Sequence, residues 1–527
     1  MNRRAFLKTT AAAAALPALS AAKPARYRRH NVMSKEGQAA LASYSKGVQA
    51  MLALKPDHPH NWFRNAFVHF MDCPHGNWWF YVWHRGYLGY FEQTIRVLSK
   101  DQNFAIPYWD WTTYPELPAG MFQGPLDPTS NFYLPFTRNI DTFSKYIQPA
   151  LDAYWKTLNK DQLAQLQIRG LNNTADLWAA VALPDDPGDR PFAETKIARW
   201  YTASNRKLDE NASANVAASV VRGGLGAHLF YDPAGKINSF NSVKTPSHHT
   251  APGGAGSFSS IIEGQPHNMV HNSIGGAGHI DPGPYGNMTN NLSPVDPIFF
   301  LHHGNMDRLW DVWTRKQQKQ GKPYLPAGAD AQPFNEELFL FYMDANGKAV
   351  PATRAGDLTG IERWDYDYQP GFGEDLIVPA RPILTATPPI TATLQGQAAS
   401  ANVSAAAVRQ HVQANSTPLL FAEITVERPS RPAGHLFQVL VGAPADVTHA
   451  TAGSPFFAGT ISFFGHSAHG GHMNMAPDTQ TFLIPLPQQA AAFHASGNTS
   501  AVNIRVVAAN GTTEAPVVKA IAIRTRS

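Results

Sequence analysis

The spacing of histidines is the first feature of this chain that could do chemistry. In PHNMVHNSIGG, His267 and His271 stand four residues apart. On a helix they share one face, and two imidazoles at that spacing can bind one metal ion. A second stretch, DPIFFLHHGNMDRLW, carries His302 and His303. Asp296-Pro297 is a helix-start signal, an acid with proline at the first turn, so both histidines fall on the helix that follows. Asp307 lies one turn past His303, where a carboxylate can accept the spare ring N–H of a ligand and fix its tautomer. The first half mirrors this set with His69, His75 and His84. Two groups of three imidazoles form a nitrogen-only donor set suited to copper, zinc, iron or nickel, so ligand type alone does not choose the metal. Among 21 histidines a lone HxxxH means little; two triads, each with its own helix signals, mean more.

The elements that must position these rings can be read around them. His69 ends the helical stretch NWFRNAFVH, His84 opens HRGYLGYFEQTI, and His75 sits in the loop between them. That loop also holds Cys73, the only cysteine of the 527 residues. Residues 115–260 alternate helical segments with Pro/Gly-rich loops. The stretch 233–260, which contains His248 and His249, reads as a long surface loop or flap. Residues 261–320 return to helix, and the pattern ends near WDYDYQP at 364–370. Residues 373–416, rich in Ala, Pro, Thr and Gln, read as a linker. From 417 to 527, short runs such as LLFAEITVE and HLFQVLVG alternate with turns, which predicts an antiparallel β-sandwich-like domain. The fold expected is therefore an α-rich helical-bundle catalytic domain over 23–372 followed by a small antiparallel β-domain.

Bulk properties narrow the partners. The formal net charge is +4, and Arg3, Arg4 and Lys8 supply three of those charges. A chain lacking residues 1–22 carries 4 − 3 = +1, so no nucleic-acid partner is indicated. No apolar run reaches the ~18–20 residues that span a membrane. The N-terminal MNRRAFLKTTAAAAALPALSAA matches a twin-arginine export signal over residues 1–22, which implies passage to a periplasm or beyond. A homo-oligomer stays open.

The stretches HGNWWFYVWHRGYLGYFE and DPIFFLHHGNMDRLW resemble the two copper signatures of the type 3 copper proteins, which include tyrosinases, catechol oxidases and hemocyanins. YDY at 366–368 resembles the tyrosine motif that closes the catalytic domain of plant polyphenol oxidases, and SPFFAGTISFFGHSAHGGHM resembles part of their C-terminal shielding domain. The likeness covers about residues 28–372 well and 417–527 more loosely, and points to plant-like bacterial tyrosinases.

That resemblance implies two copper ions, O2 as co-substrate and small phenols as substrates. It assigns His69, His75 and His84 to the first copper and His267, His271 and His303 to the second, with His302 as a neighbour of the ligands. It places Phe299 over the first copper and implies a thioether between Cys73 and His75. Glu263 and Asn268 match the residues that hold and polarise a water near the second copper, as the base for phenol hydroxylation. The implied activity is that of a tyrosinase, hydroxylating monophenols and oxidising catechols. The alternatives are a catechol oxidase without useful hydroxylation and a hemocyanin-like O2 carrier. His466, His469, His472, Met473 and Met475 form a further stretch suited to transient copper binding.

Overall fold

The computed structural model describes residues 25–526 apart from 184–187, 189, 234–235, 253–256, 379–389, 415–416, 430–434, 465–478, 495–500 and 510–513. Residues 1–22, read as an export signal, and the His/Met stretch at 466–475 lie outside the described residues. Among those described, no helix is long and apolar enough to cross a membrane.

Four helices carry the chemistry, packed beside a long first helix, α1 (Lys35–Ala53). Helix α2 (Trp62–Asp72) starts where the Asn61 side chain accepts hydrogen bonds from the backbone of Phe63 and Arg64, satisfying N–H groups that a helix start leaves without partners. Helix α3 (Phe80–Ser99) is buried over nearly all its length and stops at Lys100, in the left-handed region at φ 61°. A π-turn, Glu263–His267, feeds helix α4 (Asn268–Gly275). Gly276, at φ +95°, ends α4 in a conformation that costs glycine little. Helix α5 (Ile298–Lys319) begins as expected: Asp296 Oδ1 accepts from the backbone of Ile298 at 3.0 Å. Pro297 takes the cap position, and the Asp296 carboxylate also meets Arg199 Nε at 2.9 Å. The π-turn was not expected. It adds an irregular turn that ends at His267, and such turns are frequent at functional sites.

Strand β1 (Tyr27–Arg29) pairs in parallel with β3 (Tyr366–Tyr368), so the start of the domain closes on the YDY stretch. Strand β2 is the short Phe258–Ser259. Apart from a short antiparallel pair, Leu338–Phe339 with Thr353–Arg354, the other strands form the C-terminal domain: β4 (Ile390–Thr391), β5 (Thr393–Gln395), β6 (Ala398–Asn402), β7 (Leu420–Glu427), β8 (Leu436–Val441), β9 (Phe457–Ser462), β10 (Thr479–Pro485), β11 (Ala501–Ala508) and β12 (Val518–Thr525). Two five-stranded sheets result, in the orders β9-β8-β11-β6-β5 and β2-β10-β7-β12-β4. Alternate residues of both sheets, among them Ile424, Val439, Ile484 and Ile504, bury into one shared core, as in a sandwich.

The expected linker is corrected by this topology. Strands β4 to β6 and a helix at Ala405–Val412 lie inside 373–416, and β6 pairs with both β5 and β11. Ala399 and Ala401 are small enough to look like spacer, yet they alternate into the core. The domains also share a sheet. Strand β2, just before the second triad, pairs in parallel with β10 through Phe258↔Thr481 and Ser259↔Phe482.

Candidate metal centre

The structure brings His69, His75, His84, His267, His271 and His303 into one cluster, in which His75 is partly buried and the other five are buried. His69 and His84 ring centroids lie 5.4 Å apart, His75 and His84 also 5.4 Å, and His271 and His303 5.4 Å. The triads face each other through His84, stacked on His303 at 4.3 Å, and His75, 5.6 Å from His267.

Hydrogen bonds fix which nitrogen is free in four of the six rings. His69 Nδ1 meets Asn291 O at 2.7 Å, His84 Nδ1 meets Phe80 O at 2.7 Å, and His271 Nδ1 meets Met288 O at 2.7 Å. A carbonyl only accepts, so each Nδ1 carries the proton and each Nε2 is a lone pair. His267 follows by one more step. The Asn268 Nδ2 amide donates to Ser462 O at 3.0 Å, so its Oδ1 faces His267 Nδ1 at 2.9 Å and accepts that N–H.

These lone pairs converge. His69 Nε2 and His84 Nε2 lie 3.3 Å apart, two acceptors in contact with no proton between them. A cation resolves that conflict. His271 Nε2 faces His303 Nε2 at 3.2 Å, and the Nε2 atoms of His75 and His267 are buried with no hydrogen-bond partner among the described residues. Burial also holds the rings neutral and ready to ligate: it pushes His69 down to about 3 and His267 to about 4. The residues present fit a pair of metal ions.

His302 is equally buried and within ligand range of His267, His271 and His303. It stacks on His267 at 5.4 Å and has no hydrogen-bond partner among the described residues. His303, not His302, stacks on the opposite triad. Phe299 leans on His303 at 4.1 Å and on His69 at 4.9 Å. Phe80 does the reciprocal: it lies four residues before His84, as Phe299 lies four before His303, and packs on His84 at 4.6 Å and His267 at 4.9 Å. Sequence reading missed Phe80, although the shared four-residue spacing could have revealed it.

The expected role of Asp307 is corrected. Its carboxylate does not hold His303, whose Nδ1 meets no partner among the described residues. It accepts from Arg29 Nη1 at 3.1 Å, Arg85 Nε at 2.6 Å, Tyr368 at 2.6 Å and Tyr366. Burial works against ionisation, but Arg85 and Arg29 outweigh it and hold Asp307 below the usual carboxylate range. Two guanidinium groups and two phenols outcompete one imidazole for its oxygens.

Cys73 Sγ lies 3.3 Å from His75 Nδ1 and is buried, which pushes the thiol well up. Glu263 is also buried. Its Oε1 accepts from Gly76 N at 2.5 Å and its Oε2 from the Ser242 hydroxyl. Burial raises the carboxyl to about 7 against the pull of both donors.

Phe464 of the β-domain covers the cluster, 4.3 Å from His271, 4.8 Å from His75 and 5.3 Å from His267. Asn272, one turn past Asn268, holds the segment leading to it, donating to Ser462 Oγ at 2.6 Å and Phe463 O at 2.7 Å. Sequence reading singled out neither Phe464 nor Asn272.

Comparison with known proteins gives the family. The model described as "Tyrosinase: Common central domain of tyrosinase" matches residues 47–316. The chain is 25% identical over 346 residues to the latent chloroplastic polyphenol oxidase of Prunus armeniaca, covering 63% of this chain and 46% of that protein. It is 27% identical over 328 residues to the tyrosinase HcTyr1 of Hahella sp. (strain CCB-MM4), covering 61% of this chain and 52% of that one. The chain thus spans about half the length of these curated relatives. The structure of latent apple tyrosinase superposes with a TM-score of 0.54 at 19% identity, covering 96% of this chain and 98% of that one, which is a likeness of fold across both domains.

Proposed function

Because the chain belongs to the tyrosinase family, we propose that it oxidises small phenols with O2 at a type 3 centre of two copper ions, hydroxylating monophenols and converting catechols to o-quinones. The observation that carries this reading is the shell of six imidazoles, five of them buried and His75 partly so, with the His69 and His84 lone pairs 3.3 Å apart. His69, His75 and His84 would hold the first ion, and His267, His271 and His303 the second. The copper ions supply O2 binding and electron exchange; the protein supplies access, orientation and proton handling.

Proton handling falls to Glu263. A phenol titrates near 10, so hydroxylation needs a base. A carboxyl at about 7 is poised to take a proton near neutral pH, directly or through one water. Asn268 acts one step removed: by accepting the His267 Nδ1–H it orients that ring and turns Nε2 toward the metal. A catechol oxidase is the second reading. It is favoured by the same contacts, since one face of the Asn268 amide is given to His267 and the other to Ser462, leaving Glu263 as the main base.

The β-domain belongs to the proposal as a shield. Phe464 occupies the place above the imidazoles where a substrate ring would stack. The apple protein is itself described as latent, which supports the reading. Export by the twin-arginine route completes it, on the N-terminal pattern alone.

The experiment is a paired comparison of a monophenol and its catechol. Glu263→Gln should lower monophenol turnover by ~10²–10⁴-fold and catechol turnover far less, with both copper ions retained. In the wild type, monophenol kcat/KM should rise with pH through about 7 as the base ionises, and the variant should lack that limb. Equal losses on both substrates would assign Glu263 a structural role and favour the catechol oxidase.

A further inference from the structure

His248 and His249 stand in the stretch read as a flap, yet both side chains turn inward and are buried. They meet at one carboxylate. Asp72 Oδ1 lies 3.1 Å from His248 Nε2 and 2.9 Å from His249 Nε2, while Asp72 Oδ2 accepts from Trp83 Nε1 at 2.6 Å. His248 Nδ1 faces a second carboxylate, Glu337 Oε1, at 2.6 Å. His249 Nδ1 accepts from Arg169 Nε at 2.7 Å, and Arg169 Nη2 donates to Cys73 O at 2.6 Å.

The partners dictate the protons. Arg169 can only donate, so His249 Nδ1 is bare and its Nε2 carries the hydrogen: His249 is neutral. His248 has a carboxylate oxygen at each nitrogen, so both nitrogens carry hydrogen and the ring is an imidazolium. Two cations, His248 and Arg169, balance two anions, Asp72 and Glu337. Asp72, His248 and His249 also lie within ligand range of one another, but Arg169 forces a proton onto the His249 nitrogen that a metal ion would need. The cluster is an ion network.

Its position gives it a task. Asp72 lies between His69 and His75 in the chain, Trp83 precedes His84, and Arg169 holds the carbonyl of Cys73. The flap lies along the same loop: Asn77 Nδ2 donates to His248 O at 3.2 Å, and Trp78 N donates to Val243 O at 2.9 Å. Gly76 has φ +69°, and a Cβ there would meet Pro252 at 2.8 Å. All three segments that carry the first triad are thus tied to this cluster or the flap. We propose that His248 is a positioning residue: as the cation between Asp72 and Glu337 it clamps residues 241–252 onto the Asp72–Asn77 loop and so fixes His75 for the first metal ion. The proposal rests on reading the six histidines as copper ligands.

The sign of its pH dependence follows. Burial disfavours the His248 imidazolium, but the hydrogen bonds and charges of Asp72 and Glu337 outweigh it and the net shift is upward. Burial and the neighbouring His248 and Arg169 charges hold His249 far down. A raised value means that the clamp is complete below the ordinary histidine range, about 6.5, and is lost as pH rises through the folded value. Ligand protonation has the opposite slope, because protons compete with metal at low pH.

The test is copper release from the loaded full-length chain into excess chelator, followed over a pH series. His248→Ala should release one of its two ions ~10–100-fold faster at pH 6 and the other at the wild-type rate. Wild-type release of that ion should accelerate as pH rises above the histidine range, and His248→Ala should not show this acceleration. Glu337→Gln, which keeps an acceptor but removes the charge, should move the wild-type midpoint to lower pH. Two firmly held ions in the wild type with unaltered release from His248→Ala, equal acceleration of both ions, or an unmoved Glu337→Gln midpoint would overturn the clamp alone. A wild-type chain that takes up no pair of copper ions would overturn the metal reading and the clamp with it.

Discussion

Each triad is built from three imidazoles, but the two are held by different physics. In the second, His267 and His271 lie on or beside α4 and His303 lies on α5; His267 is oriented by the amide of the next residue, Asn268, and His271 by the Met288 carbonyl. In the first, His75 sits on a loop whose shape depends on Asp72, Arg169 and the flap. The β-domain reaches mainly the second: Ser462 and Phe463 bond Asn268 and Asn272, and β10 pairs with the strand that leads into the π-turn. The loop of one triad is thus tied by charged groups of its own domain, while the helix of the other is in contact with a second domain. Regulation by the β-domain should act through the second triad, and maturation chemistry on the first.

The largest effect that sharpens this contrast is ligand removal. His84→Ala and His303→Ala should each reduce copper content from about two ions to about one per chain and abolish turnover, because the reaction needs both metals. Loss of both ions from either variant would erase the distinction between separately held triads. Next in size is the shield. Phe464→Gly should raise catechol turnover at least about tenfold, the equivalent of ~1.4 kcal/mol of lost closure, with copper content unchanged. No gain would mean that the contacts with His271 and His75 do not limit access. The smallest effect concerns Cys73. The copper-matured chain should be two hydrogens lighter than its sequence, with Cys73 and His75 joined in a peptide map and O2 as the oxidant. Complete alkylation of Cys73 in that mature chain would contradict the bond. Cys73→Ser should leave both ions bound and change turnover only a few-fold, since the loop keeps its other anchors.

The second triad was the more legible from sequence. The four-residue spacing of His267 and His271 and the Asp296-Pro297 start are local signals, and both describe what the chain does. The β-alternation of LLFAEITVE was equally plain. Strand β6, reading AASAN, was not, because alanine and serine alternate without a hydrophobic contrast to mark it. Local reading also gave Asp307 to the nearest histidine. Its actual partners, Arg29, Arg85, Tyr366 and Tyr368, come from three other elements, and no spacing rule links them. His248 meets Asp72 across 176 residues, and Phe464 meets His271 across a domain boundary. Contacts of this kind arise from tertiary packing, where pattern reading has no period to follow.

The most direct test of the two-metal account is a copper titration of the metal-free chain in the presence of a catechol, with quinone absorbance and O2 consumption read together. The account predicts no turnover without copper, a rise as the ions enter, and a plateau at two per chain, higher in Phe464→Gly than in the wild type. Two ions bound with no quinone formed, in the wild type and in Phe464→Gly alike, would contradict it.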